Sequence, residues 1–386
     1  MLKFRAKSNI VLGLIALLSI LSFIAVEKSR TNVKKEWYSE KLKAAELSKQ
    51  AALCLKEFRL EEGIFIDEVN DPNQSALIGQ EYTNITTDEG KIDDKLSTLN
   101  PNFAAVIVQY LKDIGLKKND CVAISFTGSF PALNISVISA IEVLGLKPII
   151  ITAVGSSNYG ANDPNFTWLD MENVLFSSGI FHCKSVAASL SGGFDNGRGL
   201  SVEGRQLIVD AINRNKVMLI KEDFLEKSIE KRMQIYEQES KSSPIKAYIN
   251  VDKGIASLGH TVNASLIPTG LVQKFPEINF PVRGVIVQMG QKNIPVIQLV
   301  NIDKILKQYN LPYSPIPIPE PGSGGIFFVE KYNIWVALIA IICLMVFIII
   351  IYLSERKVHK LGSELVPLPS KSDNNSNNSN DSFELL

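Results

Sequence analysis

The stretch "VAISFTGSFPALNISVISAIEVLG", residues 122–145, decides the fold. Residues 122–126 form a short apolar run of β-prone side chains, residues 132–144 carry a helix-length apolar pattern, and the chain must reverse between them. Pro131 suits the first turn of the helix, where its missing N–H costs nothing. A strand followed by a tight turn and a helix is the first half of a β-α-β unit. The turn itself is unusual, because Thr127, Gly128, Ser129 and Asn134 place hydrogen-bonding or backbone-exposing groups between two apolar elements.

Outward from this unit the same alternation repeats. Apolar runs at residues 149–154, 186–190, 217–220, 248–251, 285–287 and 296–299 lie apart by helix-length patterns at 166–176, 202–213 and 223–239. An earlier helix has Pro101 near its first turn and Gly115 just past its end. Short β-rich runs alternating with helices predict an α/β fold: a mostly parallel, doubly wound, Rossmann-like sheet in three layers. The domain is expected over residues 101–311, after a segment at 27–100 that holds a stalk helix or first docking helix and a loop-rich excursion.

Two apolar segments, 9–26 and 334–353, flank the domain, each long enough for about 30 Å of hydrocarbon. Lys3, Arg5 and Lys7 precede the first, and Arg356, Lys357 and Lys360 follow the second. The positive-inside rule then predicts a two-span cell-membrane protein with residues 1–8 and 354–386 in the cytoplasm and the main domain outside. Lys28, Arg30, Lys34 and Lys35 pull against that orientation. A cleaved signal peptide is the alternative for the first segment, although no A-x-A-like site follows it. For the second, the alternative is a buried core helix; Tyr332, Trp335 and Tyr352 near its ends suit a membrane interface. The proline-rich 312–330 stretch predicts a stiff connector, and the polar tail a disordered one.

The 386 residues include 40 basic and 40 acidic side chains, so the chain lacks the long-range field that nucleic-acid binding requires. Four cysteines, one of them Cys343 within the second apolar segment, show no metal or redox spacing. Asp163, Asp170 and Glu172 are a weak metal pattern, since residues two apart on a helix point about 200° apart. Asp163 before Pro164 reads instead as a helix N-cap. Neither a metal nor a cofactor is expected.

In parallel α/β sheets ligands collect at the carboxyl ends of strands, where helix N-termini present free N–H groups. Thr127, Gly128, Ser129 and Asn134 form one candidate anion-binding turn, although Ser129 or Thr127 capping the helix explains it equally. Ser157 lies on the next turn. The glycine-rich loop "SGGFDNGRGLSVEGR" (residues 191–205) adds Gly192, Gly193, Arg198 and Ser201, with Arg198 suited to clamp a carboxylate. An ordinary cap at Ser201 is the plain alternative. Catalysis would use Ser129 as nucleophile, with His182 or His260 as base, or Asp195 as acid/base. A binding pocket requires Gly128, Gly193 and Arg198 to border one cleft.

The blocks "SFTGSFPALNISVISAIEVLGLKP", "SSNYGANDPNFTWLDME", "GGFDNGRGLSVEGR", "GIASLG" and "LPYSPIPIPEPG" resemble, in order and spacing, the bacterial poly-γ-glutamate system protein family over about residues 100–322. The resemblance implies a membrane-anchored accessory of poly-γ-glutamate capsule synthesis or export, working with an amide-forming ligase, the synthase, and its small membrane subunit. The family pattern has a richer glycine run before "GIASLG", where this chain carries Asp252 and Lys253. The expected ligand is the anionic polymer or a glutamate-like chain end, recognised locally because the neutral net charge does not suit a long polyanion. The alternatives are a hydrolase or γ-glutamyl transferase acting on the polymer, and a structural scaffold for the synthase complex.

Overall fold

The computed structural model describes residues 9–363. The expected cytoplasmic N-terminus and most of the tail lie outside the described residues. Two units divide the chain: one runs from Lys34 to Val329, and the other holds both end segments.

The larger unit is built on a seven-stranded sheet of β1 (Cys121–Thr127), β2 (Lys147–Ala153), β3 (Ala187–Ser189), β4 (Met218–Ile220), β5 (Ile245–Val251), β6 (Gly270–Val272) and β7 (Val296–Leu299). Its spatial order is β6-β7-β5-β1-β2-β3-β4. Only β6 runs antiparallel; all other neighbours are parallel. The chain steps outward from β1 to β4, then returns to the other side of β1 to lay down β5. The strand order therefore reverses between β1 and β5.

Both faces of the sheet are covered, which explains the continuous apolar runs. Val122, Ile124 and Phe126 point into one core, while Cys121 and Ala123 point into another. The first core receives α1 (Tyr38–Glu61), α3 (Phe103–Ile114), α4 (Pro131–Leu144), α5 (Trp168–Ser177) and α6 (Val202–Arg214). A short α2 (Ile92–Thr98) lies between α1 and α3 in sequence. The second core is filled by α7 (Leu225–Glu239) and α8 (Val285–Gln291), and α9 (Ile302–Tyr309) returns to the first.

Several expectations need correction. Residues 285–287, read as a strand, open α8, because an apolar run of three residues has no period to distinguish the two. Of the two roles expected for the first helix, α1 takes the docking one and not the stalk, with Ala44, Ala45, Ala51 and Leu55 fully buried in the core. The proline-rich stretch does not hang free: the Asn102 side chain donates to the Glu320 carbonyl and accepts from the Gly322 N–H, both at 3.0 Å. Ile326 and Phe327 beyond it are buried. The compact unit is consequently wider than 101–311.

In the other unit, helices Asn9–Lys28 and Ile334–Ser363 pack against each other. Asn9–Lys28 and Ile334–Arg356 are each long and apolar enough to cross a membrane. The second helix continues through residues 354–363, which the sequence assigns to a disordered tail.

Candidate functional site

The strand-order reversal puts a crevice beside the carboxyl ends of β1 and β5, the usual ligand position in such sheets. Thr127, the last residue of β1, bridges the two strands: its Oγ1 donates to Asp252 Oδ2 at 3.2 Å and accepts the Ser129 N–H at 3.2 Å. Asp252 follows β5 directly with a left-handed φ of 67°, a conformation that aspartate tolerates better than most residues. Asn134 reaches back from α4 to donate to the Thr127 carbonyl at 2.9 Å. The polar residues of the turn thus hold it shut. Gly128 is needed for packing, since a Cβ there would collide with the Val154 carbonyl.

Ser129 and Ser157 connect this turn to the short strand Ser156–Ser157, with the Ser157 N–H donating to Ser129 Oγ at 3.1 Å. Lys95, on α2, enters from the side. Its Nζ donates to the Ser129 carbonyl and, at 2.8 Å, to Ser157 Oγ, and it sits 3.7 Å from the centroid of the Phe130 ring. Only 2% of Lys95 is exposed. Burial lowers its pKa to about 8, against the pull of Asp252, Asp94 and Asp88.

Lys95, Ser157, Phe130 and Asp252 border a cleft of about 370 Å³, which Leu299 to Ile302 at the end of β7 also line, whereas Thr127, Gly128, Ser129 and Asn134 stand behind its wall. Lys91, Lys95 and Lys253 face it, as do Asp88, Glu89, Asp94 and Asp252. Burial also raises the Asp94 carboxyl, while the surrounding lysines oppose that shift. Both signs of charge line the wall. Such a wall suits a compact ligand carrying carboxylate and ammonium together better than an extended polyanion, which its four acidic groups repel.

Comparison of the chain with protein-family models, curated proteins and solved structures finds no significant match.

The remaining expected site residues lie elsewhere. In the glycine loop after β3, the Gly193 N–H donates to the Arg198 carbonyl at 2.9 Å, and the Arg198 guanidinium lies 4.7 Å from the Phe194 ring centroid. Arg198 lines a second, open cleft with Arg205 and Lys221. Ser201 caps α6, its Oγ accepting the Gly204 N–H at 3.0 Å. Gly192 takes a φ of 69° where the loop folds on itself. Gly128, Gly193 and Arg198 therefore do not border one cleft.

The two expected catalytic residues also have other work. Asp195 is 2% exposed, and Ser189 Oγ, Ser228 Oγ and the Arg232 guanidinium occupy its carboxylate at 2.7, 2.6 and 2.9 Å. It is an internal anchor with no free oxygen for a substrate proton. Ser129 has neither histidine as a partner: His182 pairs with Glu142 on the surface at 3.2 Å, and His260 accepts the Val262 N–H. Asp163 Oδ1 accepts the Asn165 N–H within a turn, and α5 begins only at Trp168. Among the described residues, no group of three or more His, Cys, Asp or Glu is placed to hold a metal.

Sequence reasoning missed Lys95. It lies in a polar stretch with no sustained period, and a lone lysine there carries no signal. The short apolar spacing of Ile92, Leu96 and Leu99 around it was the available clue to a small docked helix.

Proposed function

We propose that the protein is a membrane-anchored accessory of poly-γ-glutamate synthesis or export that binds a glutamyl chain end in the cleft between β1 and β5. The observation supporting this reading is the cleft's mixed lining, three lysines and four carboxylates at the point where strand order reverses. A γ-linked chain end carries an ammonium and several carboxylates within a few ångströms, and Lys253 and Lys91 face the carboxylates. The two apolar helices would anchor the domain outside the membrane with both termini in the cytoplasm, beside a ligase and its small membrane subunit. The resemblance carried by the strand-end blocks adds the polymer's identity to the proposal.

Titration of the full chain in detergent micelles with penta-γ-glutamate, followed by calorimetry, tests it. Lys253→Gln should weaken binding about tenfold, whereas Arg198→Ala, in the other cleft, should leave it unchanged. No heat of binding with the wild-type chain, or a loss confined to Arg198→Ala, overturns the assignment of this cleft.

A further inference from the structure

We propose that Ser157 and Lys95 form a nucleophile–base pair that cleaves or transfers an acyl group held in the cleft between β1 and β5, a chemistry that rests on the binding reading above. Ser157 Oγ lies 2.8 Å from Lys95 Nζ, within proton-transfer reach. That is the hydroxyl's only hydrogen bond among the described residues, so one side of the oxygen is free to attack. Both residues line the cleft yet are almost wholly buried, which limits competing water.

Gly90 packs directly against the pair. A Cβ there would stand 2.8 Å from Ser157 Oγ, 3.0 Å from the Asn158 carbonyl oxygen and 3.1 Å from Lys95 Cε, so any larger residue would push the pair out of place. In the first step Ser157 Oγ adds to the carbonyl carbon and its proton passes to neutral Lys95. Collapse of the adduct expels the amine or alcohol, which takes the proton back from Lys95. Water, or an acceptor amine, then attacks the acyl-serine, giving up a proton to Lys95 that returns to Ser157 Oγ. The positive charge of Lys253, on the same cleft, opposes the oxyanion's negative charge.

The pair is restrained at neutral pH. Facing Lys95 are the carboxylates of Asp252, Asp94 and Asp88, the Lys253 ammonium, the Ser129 carbonyl and the Phe130 ring, with Lys91 and Glu89 farther along the wall. With a pKa of about 8, about a tenth of Lys95 is neutral at pH 7.

The test is fluorophosphonate labelling of the full chain in detergent micelles, with peptide mass mapping. The serine oxygen displaces fluoride at phosphorus and Lys95 takes the proton. The expected result is one adduct on Ser157, forming about tenfold faster per pH unit below pH 8 and levelling above it. Ser157→Ala should abolish the adduct. Lys95→Gln should slow labelling at least about a hundredfold, and Gly90→Ala about tenfold. Wild-type chain that binds the oligomer but gives no Ser157 adduct at pH 9 overturns the catalytic pair alone, as does a rate independent of pH. A Ser157 adduct in a chain that binds no oligomer supports the pair and overturns only the chain-end ligand.

Discussion

A charged side chain taken out of water keeps its charge only where dipoles or opposite charges replace its hydration. Lys95 and Glu172 show the two outcomes. Around Lys95, a carbonyl, a hydroxyl and an aromatic face gather near three carboxylates, so burial lowers its pKa only to about 8. Glu172 is 1% exposed and accepts the Ser185 N–H at 2.7 Å and the Ser185 hydroxyl at 3.0 Å. Burial outweighs these bonds and raises its pKa to about 7. The folded protein therefore holds this proton between pH 4.5 and about 7 while the unfolded chain has released it, so stability from this group falls as pH rises through that window. The loss should be at most about 3 kcal/mol. Urea midpoints between pH 4.5 and 8 should decline less in Glu172→Gln than in wild type; parallel curves would contradict this account.

At the scale of the element, the loop between β3 and α6 behaves as part of the core. Asp195 and Arg232, both about 2% exposed or less, tie this loop to α7 through a salt bridge of 2.9 Å. Removing one member of a buried pair leaves the other uncompensated, at a cost of about 3–5 kcal/mol. Asp195→Asn should accordingly lower the free energy of unfolding by about 3 kcal/mol, measured by chemical denaturation. A change in binding with no loss of stability would restore a functional role to this loop. Its glycines and Arg198 drew notice in the sequence because such residues serve ligand cradles and tight self-folded turns equally well. The β1 turn posed the same ambiguity, and its polar groups close the turn while Ser129 helps seat Lys95.

Across the whole molecule, the compact unit extends well past the seven strands. Helix α1 lies against α3 and α4 with Leu55 fully buried, and losing one such leucine side chain costs about 2–5 kcal/mol. A fragment of residues 101–311 should therefore show no cooperative thermal transition, whereas residues 34–329 should unfold in one. A cooperative melt of the shorter fragment would mean that α1 is dispensable. The alternation of apolar runs and helical patterns made all six parallel strands and helices α3 to α7 legible from Pro101 onward, with β5 shorter at its start than observed. For α1 the choice between stalk and docked helix stayed open, since a Lys/Glu-rich helix that buries alanines carries little hydrophobic contrast, and α2 went unread in a stretch taken as loop-rich.

By itself the sequence determined the layered α/β class and the two long apolar helices, because burial on both faces of a sheet and sustained apolar length leave local, periodic marks in the chain. Only the tertiary structure decided where strand order reverses, that Thr127 meets Asp252, and that Lys95 reaches Ser157 across 62 residues. Those contacts join residues distant in the chain through directional hydrogen bonds. No repeating pattern in the sequence records which strands become neighbours.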